Sequence, residues 1–171
     1  METIAVFGPF NGAMQTALNN ALPQPCFHLI FSPEIDRELL RQADYVILRT
    51  LRLDAPEIAL LDKCRLIQRW GAGFDTVDIA AAGSRGIPVA VTAGMNAVPV
   101  SEMALALMLA VYRNLVPMTR DTMEGVWSRE TYAKRSYTIS GKTVGIYGIG
   151  NIGRKVAALT RAFGAEVIYY D

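Results

Sequence analysis

Lys142-Thr143-Val144-Gly145-Ile146-Tyr147-Gly148-Ile149-Gly150-Asn151-Ile152-Gly153 is an apolar strand running into a Gly-x-Gly-x-x-Gly turn. A helix-like run, Lys155 to Phe163, follows, and then a second strand, Val167-Ile168-Tyr169-Tyr170, which ends in Asp171. Together these are the opening βαβ unit of a Rossmann nucleotide-binding fold. Gly148 permits the tight turn that leaves the strand, and Gly150 lets the backbone approach a pyrophosphate. Gly153 lets the helix pack against the strand. The N–H groups of Asn151 and Ile152 fall at a helix N-terminus, where unpaired donors and the helix dipole favour an anion. Asp171, 18 residues past Gly153, is spaced to bind a ribose 2′-hydroxyl and to repel a 2′-phosphate, which favours NAD over NADP. The alternative, a glycine turn of purely structural use, would not require the flanking strands and the acid.

Upstream, strand and helix patterns alternate from the start. Thr3–Phe7, Cys26–Phe31, Asp44–Arg49, Arg65–Arg69 and Pro88–Val91 read as strands. Gly12–Leu22, Pro33–Ala43, Ala55–Asp62 and Asp75–Ser84 read as the helices between them, with Pro33 at an early helical position. Apolar strands in repeated βα units predict a parallel sheet covered by helices on both faces. From Ala97 to Asn114 there is no glycine and almost no charge, so a helix buried nearly all round is expected. The domain boundaries expected are a first α/β domain at 1–93, a connecting helical segment at 94–140, and the start of a second α/β domain at 141–171.

Half of the 171 residues are hydrophobic (51%) and 19% are charged, which suits a buried core rather than disorder. With 17 basic against 16 acidic residues, there is no electrostatic case for nucleic acid or an anionic membrane as partner. The most apolar run, Met103 to Val111, falls well short of the ~20 residues that cross a bilayer. The N-terminus lacks the basic and long apolar regions of a signal peptide. Cys26 and Cys64 form no CxxC pair, so no metal site is expected, and two buried thiols in a reduced cytoplasmic protein are.

The resemblance to a known family lies in three stretches in order. Gly141 to Gly153, continued by Arg161-Ala162-Phe163-Gly164-Ala165-Glu166-Val167-Ile168-Tyr169-Tyr170-Asp171, is similar to the nucleotide-binding signature of the D-isomer-specific 2-hydroxyacid dehydrogenases. This family includes phosphoglycerate, glycerate and formate dehydrogenases. Gly71-Ala72-Gly73-Phe74-Asp75-Thr76-Val77-Asp78 and the run Asn96 to Arg113 also resemble it. The fold implied is α/β, a flavodoxin-like parallel-sheet substrate domain followed by the first βαβ unit of a Rossmann domain.

The resemblance implies that NAD is the cofactor and that backbone amides of Gly71, Ala72 and Gly73 hold the carboxylate of a small 2-hydroxy or 2-oxo acid. Small residues there leave amides exposed as an anion-binding nest. The same residues could also be a plain strand-to-helix turn with Asp75 as its cap. Asn96 is similar to a family asparagine beside substrate and nicotinamide, and it is also well placed as a helix cap. Val100 matches the lining of the nicotinamide pocket or simple core. Glu102 is implied to be structural, in a helix where a free carboxylate would be costly. The long helix is implied to connect the domains and to take part in a homodimer interface.

In this family an Arg positions the substrate, and a His paired with a carboxylate moves the proton. These residues lie downstream of the glycine turn, so no catalytic residue is assigned here and the chain alone is expected to be inactive. Its only histidine, His28, falls in the apolar second strand and reads as structural. Arg49, Arg52 and Arg69 lie near strand ends and read as solvated. The alternatives are a non-catalytic module that binds NAD or an acid or mediates dimerisation, or part of another two-domain NAD enzyme, such as a relative of adenosylhomocysteinase or alanine dehydrogenase. The Gly71 to Asp78 stretch argues against the latter.

Overall fold

The computed structural model describes residues 1–22 and 25–171. They form two compact units, Met1–Met95 and Asn96–Asp171. The first alternates β1 (Glu2–Phe7), α1 (Gly12–Ala21), β2 (Phe27–Ser32), α2 (Arg37–Gln42), β3 (Tyr45–Leu48), α3 (Ala55–Ile58), β4 (Leu66–Arg69), α4 (Ile79–Ser84) and β5 (Val89–Ala90). Its five strands are all parallel, in the order β2-β1-β3-β4-β5, which is the flavodoxin-like arrangement.

Strand alternation explains why both faces are covered. Ala5 and Phe7 of β1 point into the larger core with Leu39 and Leu40 of α2, Val46 and Leu48 of β3, Ile58 of α3 and Ile67 of β4. Ile4 and Val6 point the other way, into a cluster with Phe10 and with Met14 and Leu18 of α1. Successive side chains of β1 thus enter opposite cores, which is why the strand is apolar throughout rather than alternating.

Two helices begin later than their sequence pattern suggests, and in each case an aspartate decides where. Helix α2 starts at Arg37 and not at Pro33, because the Asp36 carboxylate accepts the amides of Glu38 at 2.9 Å and Leu39 at 3.1 Å. Asp78, not Asp75, caps α4, accepting the Ala81 amide at 2.9 Å. Residues 75–77 instead run alongside the stretch after β3, with the Leu53 amide on the Thr76 carbonyl at 2.8 Å.

The second unit contains α5 (Ala97–Tyr112), α6 (Leu115–Met123), α7 (Arg129–Ala133), β6 (Thr143–Tyr147), α8 (Asn151–Ala162) and β7 (Glu166–Tyr170). The connecting helices therefore share a compact unit with the βαβ. Strands β6 and β7 are parallel, paired from Thr143↔Glu166 to Tyr147↔Tyr170, and the rings of that last pair stack 5.5 Å apart. Gly153, Val156, Ala157 and Thr160 form the buried stripe of α8, at the spacing of one helix face.

Helix α5 departs from expectation. It packs along α8, but only Ala97 and Ser101 are buried, while Met103, Leu107 and Val111 are 59%, 58% and 73% exposed. Glu102 is exposed too, so no carboxylate is buried in this helix. An apolar composition cannot bury a helix all round when too few neighbours pack against it. The cysteines also differ from expectation: Cys64 is buried, but Cys26 is exposed. Among the described residues, no single helix is long and apolar enough to cross a membrane.

Candidate functional site

The glycine turn joins the end of β6 to the start of α8. Gly148 sits at φ +92°, a backbone region that disfavours any side chain. A Cβ on Gly153 would lie 2.1 Å from the Gly148 carbonyl oxygen, so helix and strand can approach this closely only through glycine. Gly150 is different, because a Cβ there would meet nothing within 4 Å. The space over Gly150 is therefore open, as an approaching pyrophosphate requires.

Gly150 is also the N-cap of α8, and no side chain caps the helix. The first-turn amides of Asn151 and Ile152 are thereby left as donors in the positive end of the helix dipole. Asp171 stands at the end of β7, where its Oδ1 accepts the Ile149 amide at 3.0 Å. From the other side, Arg154 Nε donates to the Ile149 carbonyl at 2.9 Å. Gly148, Gly150, Asn151, Ile152, Gly153 and Asp171 are thus gathered around one residue, Ile149, whose N–H and C=O, in successive peptides, are both pinned. The sequence reading passed over Arg154 and the Ile149 backbone, and the only hint was an arginine directly after the third glycine.

Asn96 and Val100 occupy the start of α5 in this same unit, and both are exposed. Asn96 is the N-cap residue by position, yet its side chain makes no capping bond. Its amide group is therefore not committed to the helix end, contrary to the plain capping alternative.

Gly71, Ala72 and Gly73 belong to the first unit, directly after β4 at the carboxyl edge of the sheet. The Gly71 amide is already engaged, donating to the Arg69 carbonyl at 2.9 Å, while the Gly71 carbonyl accepts the Thr92 amide at 2.9 Å. Among the described residues, the Ala72 and Gly73 amides have no partner, so these two carry the donor capacity of the turn. Arg69 is not solvated as its position suggested. It folds back over the turn, with Nη1 donating to the Trp70 carbonyl at 2.6 Å and Nε to Thr76 Oγ1 at 3.0 Å.

The same sheet edge carries backbone strain at its switch point, between β1 and β3. Thr50, just past β3, has φ +60°, and a Cβ on Gly8 would lie 2.1 Å from the Arg49 carbonyl oxygen. Arg49 is also held in place. Its Nη1 donates to the Pro9 carbonyl, and its guanidinium lies 5.7 Å from the centre of the Phe10 ring. A nearby cavity of about 490 Å³ is lined by Gly8, Phe10, Asn11, Gln15, Phe31 and Ser32. Its polar side chains are already spent on the protein: Asn11 caps α1, Gln15 donates to Phe10 and Ser32 to Glu34.

His28 lies exposed on β2, an edge strand, in register with Thr3. Among the described residues, no group of three His, Cys, Asp or Glu side chains could hold a metal ion.

The family model described as D-isomer specific 2-hydroxyacid dehydrogenase, NAD binding domain, matches residues 105–171. A D-3-phosphoglycerate dehydrogenase of Mycobacterium leprae is 39% identical over 139 residues, which are 81% of this chain and 25% of that protein. A hydroxypyruvate reductase of Thermotoga maritima is 36% identical over 139 residues, 81% of this chain and 42% of that protein. The solved structure of an NAD-dependent formate dehydrogenase from Staphylococcus aureus, in complex with NAD, matches 99% of this chain and 55% of that one. Its TM-score is 0.77 at 27% identity. The chain spans less than half the length of both curated relatives.

Proposed function

Because the chain belongs to the D-isomer-specific 2-hydroxyacid dehydrogenase family, we propose that it supplies the substrate domain and the first nucleotide-binding unit of an NAD-dependent oxidoreductase acting on the CH–OH group of a small 2-hydroxy acid. When bound, the nicotinamide of NAD carries the hydride to or from the carbon bearing the hydroxyl. The residues of this chain bind and orient. The open approach over Gly150 and the amides of Asn151 and Ile152 receive the pyrophosphate. Asp171 turns one oxygen to Ile149 and keeps the other for a ribose hydroxyl, and its charge disfavours a 2′-phosphate. The amides of Ala72 and Gly73 take the substrate carboxylate, with Gly71 fixing the turn. Asn96 hydrogen-bonds the substrate, and Val100 lines the nicotinamide pocket.

The observation that carries this reading is that Gly153 closes on the carbonyl and Asp171 on the N–H of the Gly148–Ile149 peptide, beside open space at Gly150, in a chain that also holds the Gly71 turn. On this reading these 171 residues bind and orient, and no proton-transfer role is assigned to His28, which lies exposed on an edge strand. The apolar surface of Met103, Leu107, Val111, Val116 and Trp127 supports a homodimer, and sedimentation would give its mass.

The test is NADH oxidation with glyoxylate or hydroxypyruvate, run on the native gene product and on residues 1–171 alone. Turnover by the former and none by the latter is expected. No turnover of any 2-oxo acid by the native product, with NADH still bound, would favour a non-catalytic binding module. Turnover by the 171 residues would overturn their assignment to binding alone.

A further inference from the structure

The Gly71–Gly73 turn has a cation built into its back. Arg69 is half-buried, and its two hydrogen bonds reach both ends of one loop: the Trp70 carbonyl where the loop leaves β4, and the Thr76 hydroxyl where it turns toward α4. The guanidinium lies directly behind the first glycine. A Cβ on Gly71 would be 2.9 Å from Nη1, 3.4 Å from Cζ and 3.6 Å from Nη2. The residue between them is anchored as well. The Trp70 amide donates to the Leu48 carbonyl at 2.8 Å, and its ring meets Phe10 edge-on at 5.3 Å.

We propose that Arg69 is the positioning residue of this turn. Its planar fork ties the Trp70 carbonyl to the Thr76 hydroxyl, which aims the Ala72 and Gly73 amides outward, and its charge strengthens their hold on the carboxylate of a 2-oxo acid. The proposal rests on the reading of this turn as the carboxylate site. An arginine suits the task because it makes two directed bonds from one rigid plane while keeping its charge. A lysine keeps the charge but lacks the planar fork that directs two bonds at fixed angles. Glycine at position 71 follows from the same geometry, since any larger residue would displace the guanidinium.

The experiment uses the ¹⁵N-labelled 171-residue chain. The Ala72 and Gly73 amides are followed during titration with glyoxylate, and their hydrogen exchange is measured without it. Arg69→Met should weaken glyoxylate binding at least tenfold and speed exchange of these two amides at least tenfold. Arg69→Lys should recover part of the affinity, and added guanidinium ion should restore part of it to Arg69→Met. Thr76→Val, which removes only the Nε acceptor, should show a smaller loss in the same direction, with the Gly148–Gly153 amides unchanged. Parent-like affinity and exchange in Arg69→Met would overturn the proposal, and so would equal losses in the Met and Lys variants with no rescue. If glyoxylate moves neither amide in the parent chain, the carboxylate reading itself fails. The exchange rates then decide the positioning role: unchanged in Arg69→Met they refute it, and accelerated they uphold it.

Discussion

The Asp171 carboxylate accepts a hydrogen bond from the Ile149 amide across 22 residues of sequence, at 3.0 Å. The acid proposed to take the ribose hydroxyl therefore also braces the glycine turn. Asp171→Ala is expected to act twice. It should weaken NADH binding by the native gene product about tenfold and reduce any preference for NADH over NADPH. Paired titrations with the two cofactors measure both. An unchanged NADH affinity would show that the acid does not hold the ribose and that cofactor binding does not need its brace on the turn.

Gly153 and Gly150 should respond oppositely to the same added methyl. At Gly153 it would lie 2.1 Å from the Gly148 carbonyl oxygen, so Gly153→Ala must force α8 away from β6. A loss of about 1–3 kcal/mol is expected in denaturant unfolding, as for other overpacked contacts. Gly150→Ala meets open space at φ −70° and should leave stability nearly untouched while impairing cofactor binding. Equal stability losses in the two variants would contradict this division.

Asp44 should give the protein an acid-sensitive contact. Its pKa is held below the ordinary 3.8, first by the hydrogen bond from the Thr3 amide at 2.8 Å, and further by the Lys63 ammonium at 3.1 Å and the charge of Arg65. Burial opposes these effects and is outweighed. A depressed folded-state pKa means that the stabilisation is fully present above the unfolded value and is lost as pH falls through the folded one. Asp44→Asn should cost about 1–2 kcal/mol at neutral pH. That deficit should shrink below pH 3.8, as stability against pH for both proteins would show.

The two thiols should separate cleanly. Cys26 is exposed, whereas Cys64 is buried, and that burial pushes its pKa up. A thiol reagent should modify Cys26 in the folded protein and Cys64 only after unfolding. Fast labelling of both under native conditions would contradict the placement of Cys64 in the core.

The parallel sheet and the glycine turn were legible because apolar runs and φ-restricted glycines are local signals. All five strands of the first unit fall within a residue or two of where composition placed them. Helix starts were less legible at Pro33 and Asp75. In each stretch more than one residue suits a cap, and the choice fell to Asp36 and Asp78, whose carboxylates reach backbone amides. Burial of α5 was misread because composition does not say how many neighbours a helix will have. In the candidate site, the glycines and Asp171 could be read from spacing alone. Arg69 and Arg154 could not, because a flexible side chain folding back onto a carbonyl leaves no periodic trace.

The stacked pair Tyr147 and Tyr170 sits at the last rung of the β6–β7 ladder, one residue before Gly148 on one strand and Asp171 on the other. A one-residue slip between these strands would turn every side chain of the slipped strand to the opposite face. It would unstack the rings and carry the acid away from the Ile149 amide in the same movement. The tyrosine pair is therefore an optical gauge of strand alignment. Its share of the near-ultraviolet dichroism, the part lost on Tyr170→Leu, depends on the alignment that also sets the acid beside the turn.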